Sequence, residues 1–141
     1  MKFRKAVFLV VYCSGKYLLL KRKLHWKGWE FPKGGLKKGE KILDALKREL
    51  KEETGRLSLN TKKFDISGKY TYDKRYSDRP GIKGQSFFLF AAEIDFGKIK
   101  LDKLEHSGYK WLDFENAVRK LTWPNQKKCL KIVNNWLNDN K

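Results

Sequence analysis

The chain has 141 residues, a length that favours a single domain over residues 1–141. Its composition, 40% hydrophobic and 14% aromatic, is rich enough in apolar side chains for a core and excludes a disordered tail. The 33 Lys and Arg residues against 16 Asp and Glu residues give a formal charge of +17 at pH 7. Such a charge favours polyanionic partners, among them nucleotides, RNA and DNA, without naming one of them.

The cysteines and the first apolar segment indicate the cellular compartment. Cys13 and Cys129 have no metal-binding or redox spacing and cannot form a disulfide framework, so we expect two core thiols in a reducing compartment. The apolar segment at residues 6–12 is too short to span a membrane. It also lacks the small-residue cleavage site of a signal peptide, and lysines follow soon after it. The prediction is a soluble cytoplasmic protein that contacts no membrane.

Hydrophobic periodicity divides the first part of the chain into two strands and a helix. Residues 6–12 form a continuous apolar run rich in β-branched side chains, which is typical of a strand buried on both faces. A short turn leads into a second strand at 17–21, and a loop rich in Trp, Gly and Lys covers 25–39. Apolar side chains at helical spacing then predict a helix over 42–54, and Gly55 lies where a helix C-terminal glycine belongs.

The second part of the chain continues with strands and ends in helices. Two longer strands are predicted at 64–76 and 85–94, with a polar loop between them. A short strand at 109–112 and a short helix at 114–121 follow. Pro124 then opens a last amphipathic helix. Because strands lie on both sides of a central helix in the sequence, the predicted fold class is an α/β sandwich with a mixed sheet.

The predicted central helix is acidic although the protein is basic. Four of the eight glutamates lie within fourteen residues: Glu40, Glu49, Glu52 and Glu53. On a helix the last three share one patch beside the apolar stripe, and Glu49 has no basic residue one turn away. The spacing predicts an unneutralised patch that a hard divalent cation, Mg²⁺ or Mn²⁺, would stabilise. The alternative is an ordinary solvated charged face.

The residues that frame this helix favour a metal site over a solvated charged face. From Gly34 the sequence reads glycine, five residues, Glu40, seven residues, then Arg-Glu-Leu-Lys-Glu-Glu-Thr-Gly at residues 48–55. The pattern resembles the Nudix box, G-x5-E-x7-R-E-U-x-E-E-x-G-U, in which U is aliphatic. With this chain's composition, such a match arises by chance less than about once in a million. Arg56 departs from the pattern, since an aliphatic residue is usual there, and the departure concerns local packing more than chemistry.

The resemblance implies a Nudix-type α/β/α sandwich with a mixed sheet and a loop–helix–loop catalytic motif. In that family the motif holds divalent metal ions against a diphosphate linkage, and water cleaves a nucleoside diphosphate from another moiety. By resemblance, Glu49, Glu52 and Glu53 would be the metal carboxylates, and the carbonyl group of Gly34 would be a further ligand. Which glutamate acts as the base varies within the family and stays open.

The resemblance also implies roles around the carboxylates. Arg48 would orient them, Glu40 would brace the start of the helix, and Gly55 would end it. Residues 105–111, Glu-His-Ser-Gly-Tyr-Lys-Trp, resemble the segment of RNA 5′-pyrophosphohydrolases in which a carboxylate outside the box joins the metal site. Glu105 is therefore a candidate metal ligand, and the alternative is an ordinary loop glutamate.

Two further segments bear on the substrate. Residues 29–35, Trp-Glu-Phe-Pro-Lys-Gly-Gly, and the Gly-Gln pair at 84–85 are similar to segments of diadenosine polyphosphate hydrolases and RNA pyrophosphohydrolases. Lys33 would suit a phosphate group. Tyr70 and Tyr72 offer rings for stacking, although alternating tyrosines are also typical of one face of a strand. The remaining candidates for base stacking or for a polyphosphate tail are Lys74, Arg75, Tyr76, Lys83 and Phe87.

Three functions stay open at this point. The first is a Mg²⁺-dependent Nudix hydrolase that cleaves diadenosine tetraphosphate to ATP and AMP. The second removes pyrophosphate from triphosphorylated RNA 5′ ends, which the charge of +17 favours slightly. The third is a non-catalytic nucleic-acid-binding module, against which the complete set of box carboxylates argues. His25 and His106, far apart in sequence, offer little for a histidine triad or a zinc site.

Overall fold

Seven strands form one mixed β-sheet in the computed structural model of the chain, which describes residues 2–72 and 80–139. The strands are β1 (Lys2–Cys13), β2 (Lys16–Arg22), β3 (Gly28–Glu30), β4 (Lys33–Gly35), β5 (Asn60–Thr71), β6 (Ile82–Glu93) and β7 (His106–Leu112). The main order is β3-β2-β1-β6-β5, with β4 beside β1 and β7 beside β2. Strand β1 pairs with β6 in parallel, and the other pairings are antiparallel.

Helices cover both faces of the sheet. They are α1 (Ile42–Thr54), α2 (Phe114–Lys120) and α3 (Pro124–Asp139). On one face the β1 side chains Val7 and Leu9 pack with α1, and on the other Phe8 and Val10 pack with α2 and α3. The continuous apolar run of β1 follows from this arrangement, since a central strand covered on both faces has no side that faces water. The predicted α/β/α sandwich with a mixed sheet is confirmed.

The predicted and observed boundaries of the elements agree best where the sequence signal is local. Helix α1 begins and ends as predicted, and Gly55 ends it with φ +73° while its N–H group donates to the Lys51 carbonyl oxygen at 2.7 Å. The predicted loop at 25–39 was wrong in part, because β3 and β4 lie in it. Three-residue strands carry no periodic signal and form only by pairing with β2 and β1.

The structure explains the departure from the box at Arg56. This side chain is half-buried, and its guanidinium group lies where a Cβ atom on Gly97 would come within 2.7 Å of it. Its backbone N–H group donates to the Thr54 hydroxyl oxygen at 3.1 Å. The next residue, Leu57, is 72% exposed. The packing position is therefore filled by the arginine over a glycine, and α1 still ends normally.

The cysteines occupy the core positions expected of them. Cys13 and Cys129 are both buried and unpaired. Burial raises the pKa of the Cys129 thiol to about 11, which keeps it protonated and unreactive near neutral pH. Within the described ranges, no helix has the length and apolar character needed to cross a membrane.

Candidate active site

Arg48 organises the loop–helix–loop segment. Its guanidinium group donates to both carboxylate oxygens of Glu40 at 2.8 Å and to the Gly35 carbonyl oxygen at 2.9 Å. Its Nη1 atom also contacts Glu49 at 2.6 Å and Glu52 at 3.3 Å. The expectation of an unneutralised patch was therefore wrong for Glu49, although one guanidinium group is shared among three carboxylates. Arg48 is adjacent to Glu49 in sequence, and its long side chain reaches both glutamates and Glu40.

The ion pair between Glu40 and Arg48 predicts a pH-dependent stability. Hydrogen bonds from Arg48 and from the Lys37 N–H group lower the pKa of Glu40 from its usual 4.5 to about 2. Because the folded pKa is the lower one, the stabilisation is present above about pH 4.5 and is lost as the pH falls toward 2. We expect Glu40→Gln to lower the urea midpoint at pH 7 and to lower it much less at pH 3. An equal difference at both pH values would contradict this assignment.

Glu49 lies directly against Gly34. A Cβ atom on residue 34 would come within 1.9 Å of the Glu49 carboxyl carbon, so only glycine leaves room for this carboxylate. Burial raises the pKa of Glu49 to about 7, against the opposing effect of Arg48 and with further increases from Glu52 and Glu105. A buried carboxylate with two acidic neighbours is an unfavourable arrangement that a cation would relieve.

A buried chain of charged side chains lies behind these glutamates. His106 Nδ1 is 3.1 Å from Glu53 Oε2, and His106 Nε2 is 2.8 Å from Glu30 Oε2. Glu30 Oε2 is also 3.2 Å from Nη1 of Arg22. The four residues are between 0% and 4% exposed. His106, Glu30 and Arg22 were not among the predicted site residues, although the first two lie within the family-like segments 105–111 and 29–35.

The pKa directions in this chain follow from burial and ion pairing. Burial lowers the pKa of His106, but the two carboxylates outweigh it and raise the pKa above the usual value, so the imidazolium is favoured. Burial raises the pKa of Glu53, and His106 opposes this increase. For Glu30 the effect of burial is outweighed by Lys33, His106 and Arg22, and its pKa is lowered.

Glu105, the candidate ligand outside the box, lies close to the box carboxylate Glu53. Backbone hydrogen bonds fix it at the end of a turn: its N–H group donates to the Asp102 carbonyl oxygen, and its carbonyl oxygen accepts from Lys23. Its carboxylate oxygen is 3.9 Å from Nη1 of Arg22. In the described part of the chain, Glu53, Glu105 and His106 offer ligand atoms within 4.8 Å of one another.

The residues present fit a divalent cation. A polar pocket of about 170 Å³ lies beside α1 and is lined by Arg4, Arg22, Lys33, Gly34, Glu49, Glu52, Gln85, Asp102 and Glu105. Glu53 does not line this pocket, and neither of its buried carboxylate oxygens has a hydrogen-bond partner among the described residues. Carboxylate oxygens in this number suit Mg²⁺ or Mn²⁺. Arg4, Gln85 and Asp102 were not among the predicted site residues. No local pattern marks Arg4 or Asp102, whereas Gln85 belongs to the Gly-Gln pair whose resemblance was noted.

A second, apolar cavity of about 670 Å³ adjoins the polar pocket. Arg22 and Lys33 line both spaces. Aromatic side chains line the larger one: Trp26, Tyr70, Tyr72, Phe87 and Trp123. The two spaces together offer a site for an apolar ring system and a site for negative charge, joined by two cations.

The predicted substrate residues are divided between the cavity and the rest of the molecule. Lys33 lies 3.5 Å from Glu30 Oε1, and Tyr72 packs edge-to-face with Tyr70 in the larger cavity. Phe87 lines the cavity but is only 6% exposed, because its ring stacks on Phe8 with 4.1 Å between centroids. Two further groups of candidates lie elsewhere. Lys83 lines neither space and instead lies over the Phe3 ring, whereas Lys74, Arg75 and Tyr76 lie outside the described residues.

A family model and curated relatives match most of the chain. The chain matches the model of the NUDIX domain over residues 2–131. It is 27% identical over 135 residues to an RNA pyrophosphohydrolase of Thioalkalivibrio sulfidiphilus, with 86% of this chain and 76% of the relative covered. It is 38% identical over 135 residues to an RNA pyrophosphohydrolase of Bartonella bacilliformis, with 80% and 79% covered.

A solved structure is similar over almost the whole chain. The Ap4A hydrolase of C. elegans in a binary complex superposes with a TM-score of 0.76 at 25% identity and covers 96% of this chain and 98% of its own. The mixed sheet, the loop–helix–loop segment and the carboxylate pocket define a hydrolase of phosphoanhydride bonds. The chain belongs to the Nudix family, whose enzymes generally use divalent metals and act on nucleotides.

Proposed function

We propose that the protein is a Mg²⁺-dependent pyrophosphohydrolase of nucleoside polyphosphates, with diadenosine tetraphosphate, cleaved to ATP and AMP, as the first candidate substrate. The observation that supports this most directly is the pair of adjoining spaces that share Arg22 and Lys33. The larger space has the volume and the aromatic lining for a nucleobase, and the smaller has carboxylates and cations for a metal and phosphates.

Each side chain has a definite task in this proposal. Glu49, Glu52, Glu53 and Glu105 would hold the divalent cation, which when bound supplies positive charge to polarise the phosphoryl group and to favour ionisation of water. Arg48 holds Glu49 and Glu52 toward the pocket by direct contacts at 2.6 and 3.3 Å. Lys33 and Arg22 bind phosphate oxygens at the junction of the two spaces. Tyr72 and Trp123 cover the nucleobase.

Triphosphorylated RNA is the second candidate substrate. The formal charge of +17 favours a long polyanion over a dinucleotide, and the curated relatives at 27% and 38% identity are named RNA pyrophosphohydrolases. The same carboxylates and cations would serve this reaction, since the scissile bond is again a phosphoanhydride. The two candidate substrates differ in the groups attached to the phosphates, a nucleoside in one and an RNA chain in the other.

The first experiment compares both substrates with and without Mg²⁺. Diadenosine tetraphosphate and a 5′-triphosphorylated RNA oligonucleotide are incubated with the protein, and the products are separated by ion exchange. We expect metal-dependent release of ATP and AMP from the dinucleotide. Release of pyrophosphate from RNA with no cleavage of the dinucleotide would replace the first candidate by the second. No metal-dependent turnover of either would contradict the proposal.

A further inference from the structure

Glu30 is surrounded by cationic side chains from three different segments. It lies in β3, is 0% exposed and lines neither the polar pocket nor the apolar cavity. Its Oε2 atom is 3.2 Å from Arg22 of β2 and 2.8 Å from His106 of β7. Its Oε1 atom is 3.5 Å from Lys33 of β4. One buried carboxylate therefore has close contacts with groups from three other strands.

The three partners of Glu30 face different parts of the site. Arg22 and Lys33 line both spaces, at the place assigned above to phosphate groups. His106 contacts Glu53, the most buried of the box carboxylates, with 3.1 Å between Nδ1 and Oε2. Glu30 thus contacts both the cations Arg22 and Lys33 and the His106 ring that reaches Glu53.

We propose that Glu30 is a positioning residue that holds the phosphate-binding cations and the carboxylate Glu53 in one arrangement, without touching substrate or metal. The proposal rests on the proposed function for the identity of the groups that it positions. Its physical basis is that a buried carboxylate is unfavourable without charged partners. The Oε2 atom has two close partners, and the buried Oε1 atom has the ion pair with Lys33 at 3.5 Å and no hydrogen bond among the described residues. Movement of any partner would therefore leave more of this buried charge uncompensated. Without its negative charge, the Lys33 side chain and the His106 ring would each lose an ion pair, and each would keep one other contact, Lys33 with the Tyr70 hydroxyl and His106 with Glu53.

The proposal predicts a double defect when the charge of Glu30 is removed. Glu30→Gln keeps the size of the side chain, and we expect about ten-fold weaker binding of both Mn²⁺ and a polyphosphate. Electron paramagnetic resonance of free Mn²⁺ measures the first affinity, and calorimetry with inorganic tripolyphosphate in metal-free buffer measures the second. Glu115→Gln, an exposed substitution of the same type on α2, is the matched control and should change neither affinity.

Two single variants separate the effect on polyphosphate binding from the effect on metal binding. Lys33→Met should weaken tripolyphosphate binding and leave Mn²⁺ binding within about two-fold, whereas His106→Asn should do the reverse. A Glu30→Gln protein with both affinities unchanged, or with only one of them changed, would overturn the proposal. A lower melting temperature with unchanged affinities would reduce Glu30 to a structural ion pair and would also overturn it.

A double-mutant cycle keeps the proposal testable if Glu30→Gln does not fold. Lys33 and His106 both contact Glu30, and their effects on Mn²⁺ and tripolyphosphate binding should therefore deviate from additivity by at least about two-fold. Additive effects would contradict the proposal. These affinities do not depend on turnover, so a wild-type protein that hydrolyses neither candidate substrate would defeat the proposed function while the role of Glu30 is judged separately.

Discussion

Replacement of Glu53 by Gln is expected to abolish metal-dependent turnover while the protein still folds. Glu53 is 1% exposed and lies between His106 and Glu105, so the isosteric amide keeps the packing but removes one negative charge from the candidate metal site. We expect kcat to fall at least about 100-fold at saturating Mg²⁺, since removal of a metal-site group commonly costs this much. The measurement is hydrolysis of the preferred substrate, with circular dichroism to verify the fold.

The control for this variant is again Glu115→Gln, which removes a carboxylate from an exposed helix surface. Its kcat should equal that of the wild type. If Glu53→Gln retains full activity at every Mg²⁺ concentration, Glu53 has no part in the mechanism. If activity recovers only at high Mg²⁺, Glu53 contributes to metal affinity and is not required in the chemical step.

Substitution of Gly34 by Ala is expected to produce the second large loss. The new methyl group would lie 1.9 Å from the Glu49 carboxyl carbon, an impossible contact. Because the carboxylate is the end of a flexible side chain, the Glu49 side chain would rotate away and the strand would stay folded. Glu49 would then lose its position beside Arg48, and we expect kcat to fall about 100-fold with a change in unfolding free energy below about 1 kcal/mol.

Gly108→Ala is a matched control for Gly34→Ala. Gly108 also lies in a strand of the same sheet, and a Cβ atom there would have no heavy atom within 4 Å. Activity and urea midpoint should stay close to those of the wild type. Equal losses in both variants would show that the defect comes from the strand backbone, and a fully active Gly34→Ala protein would show that the position of Glu49 is unimportant.

The acidic helix was predictable because its signals are local. Apolar residues at helical spacing and a terminal glycine set the limits of α1, and the structure has these limits without change. The box also implied roles for Glu40 and Arg48 near the helix, and in the structure these two side chains are in contact at 2.8 Å. A helix places residues three and four apart on one face whatever surrounds it, so sequence spacing was sufficient to place Glu49, Glu52 and Glu53 in one patch. The contact between Glu40 and Arg48 spans eight positions and depends on how the preceding loop folds back on the helix.

The substrate side was less predictable. Phe87 was proposed as a stacking ring, yet its ring faces Phe8 in the core. Lys83 was proposed for a phosphate tail, yet it lies over Phe3. Strand residues alternate between faces, and the sequence does not tell which face of a mixed sheet borders a cavity. Trp26 and Trp123 meet edge-to-face at the larger cavity although nearly a hundred positions separate them.

The amino-acid sequence was sufficient for the family, the helix that carries the carboxylates and the residues that brace it, because all of these depend on spacing within one short segment. The groups behind and opposite the carboxylates required the tertiary structure. Strand β2 pairs with both β3 and β7, and this places Glu30 beside His106 although 76 residues separate them. The contact depends on sheet pairing, and sheet pairing depends on the whole core rather than on the residues that it brings together.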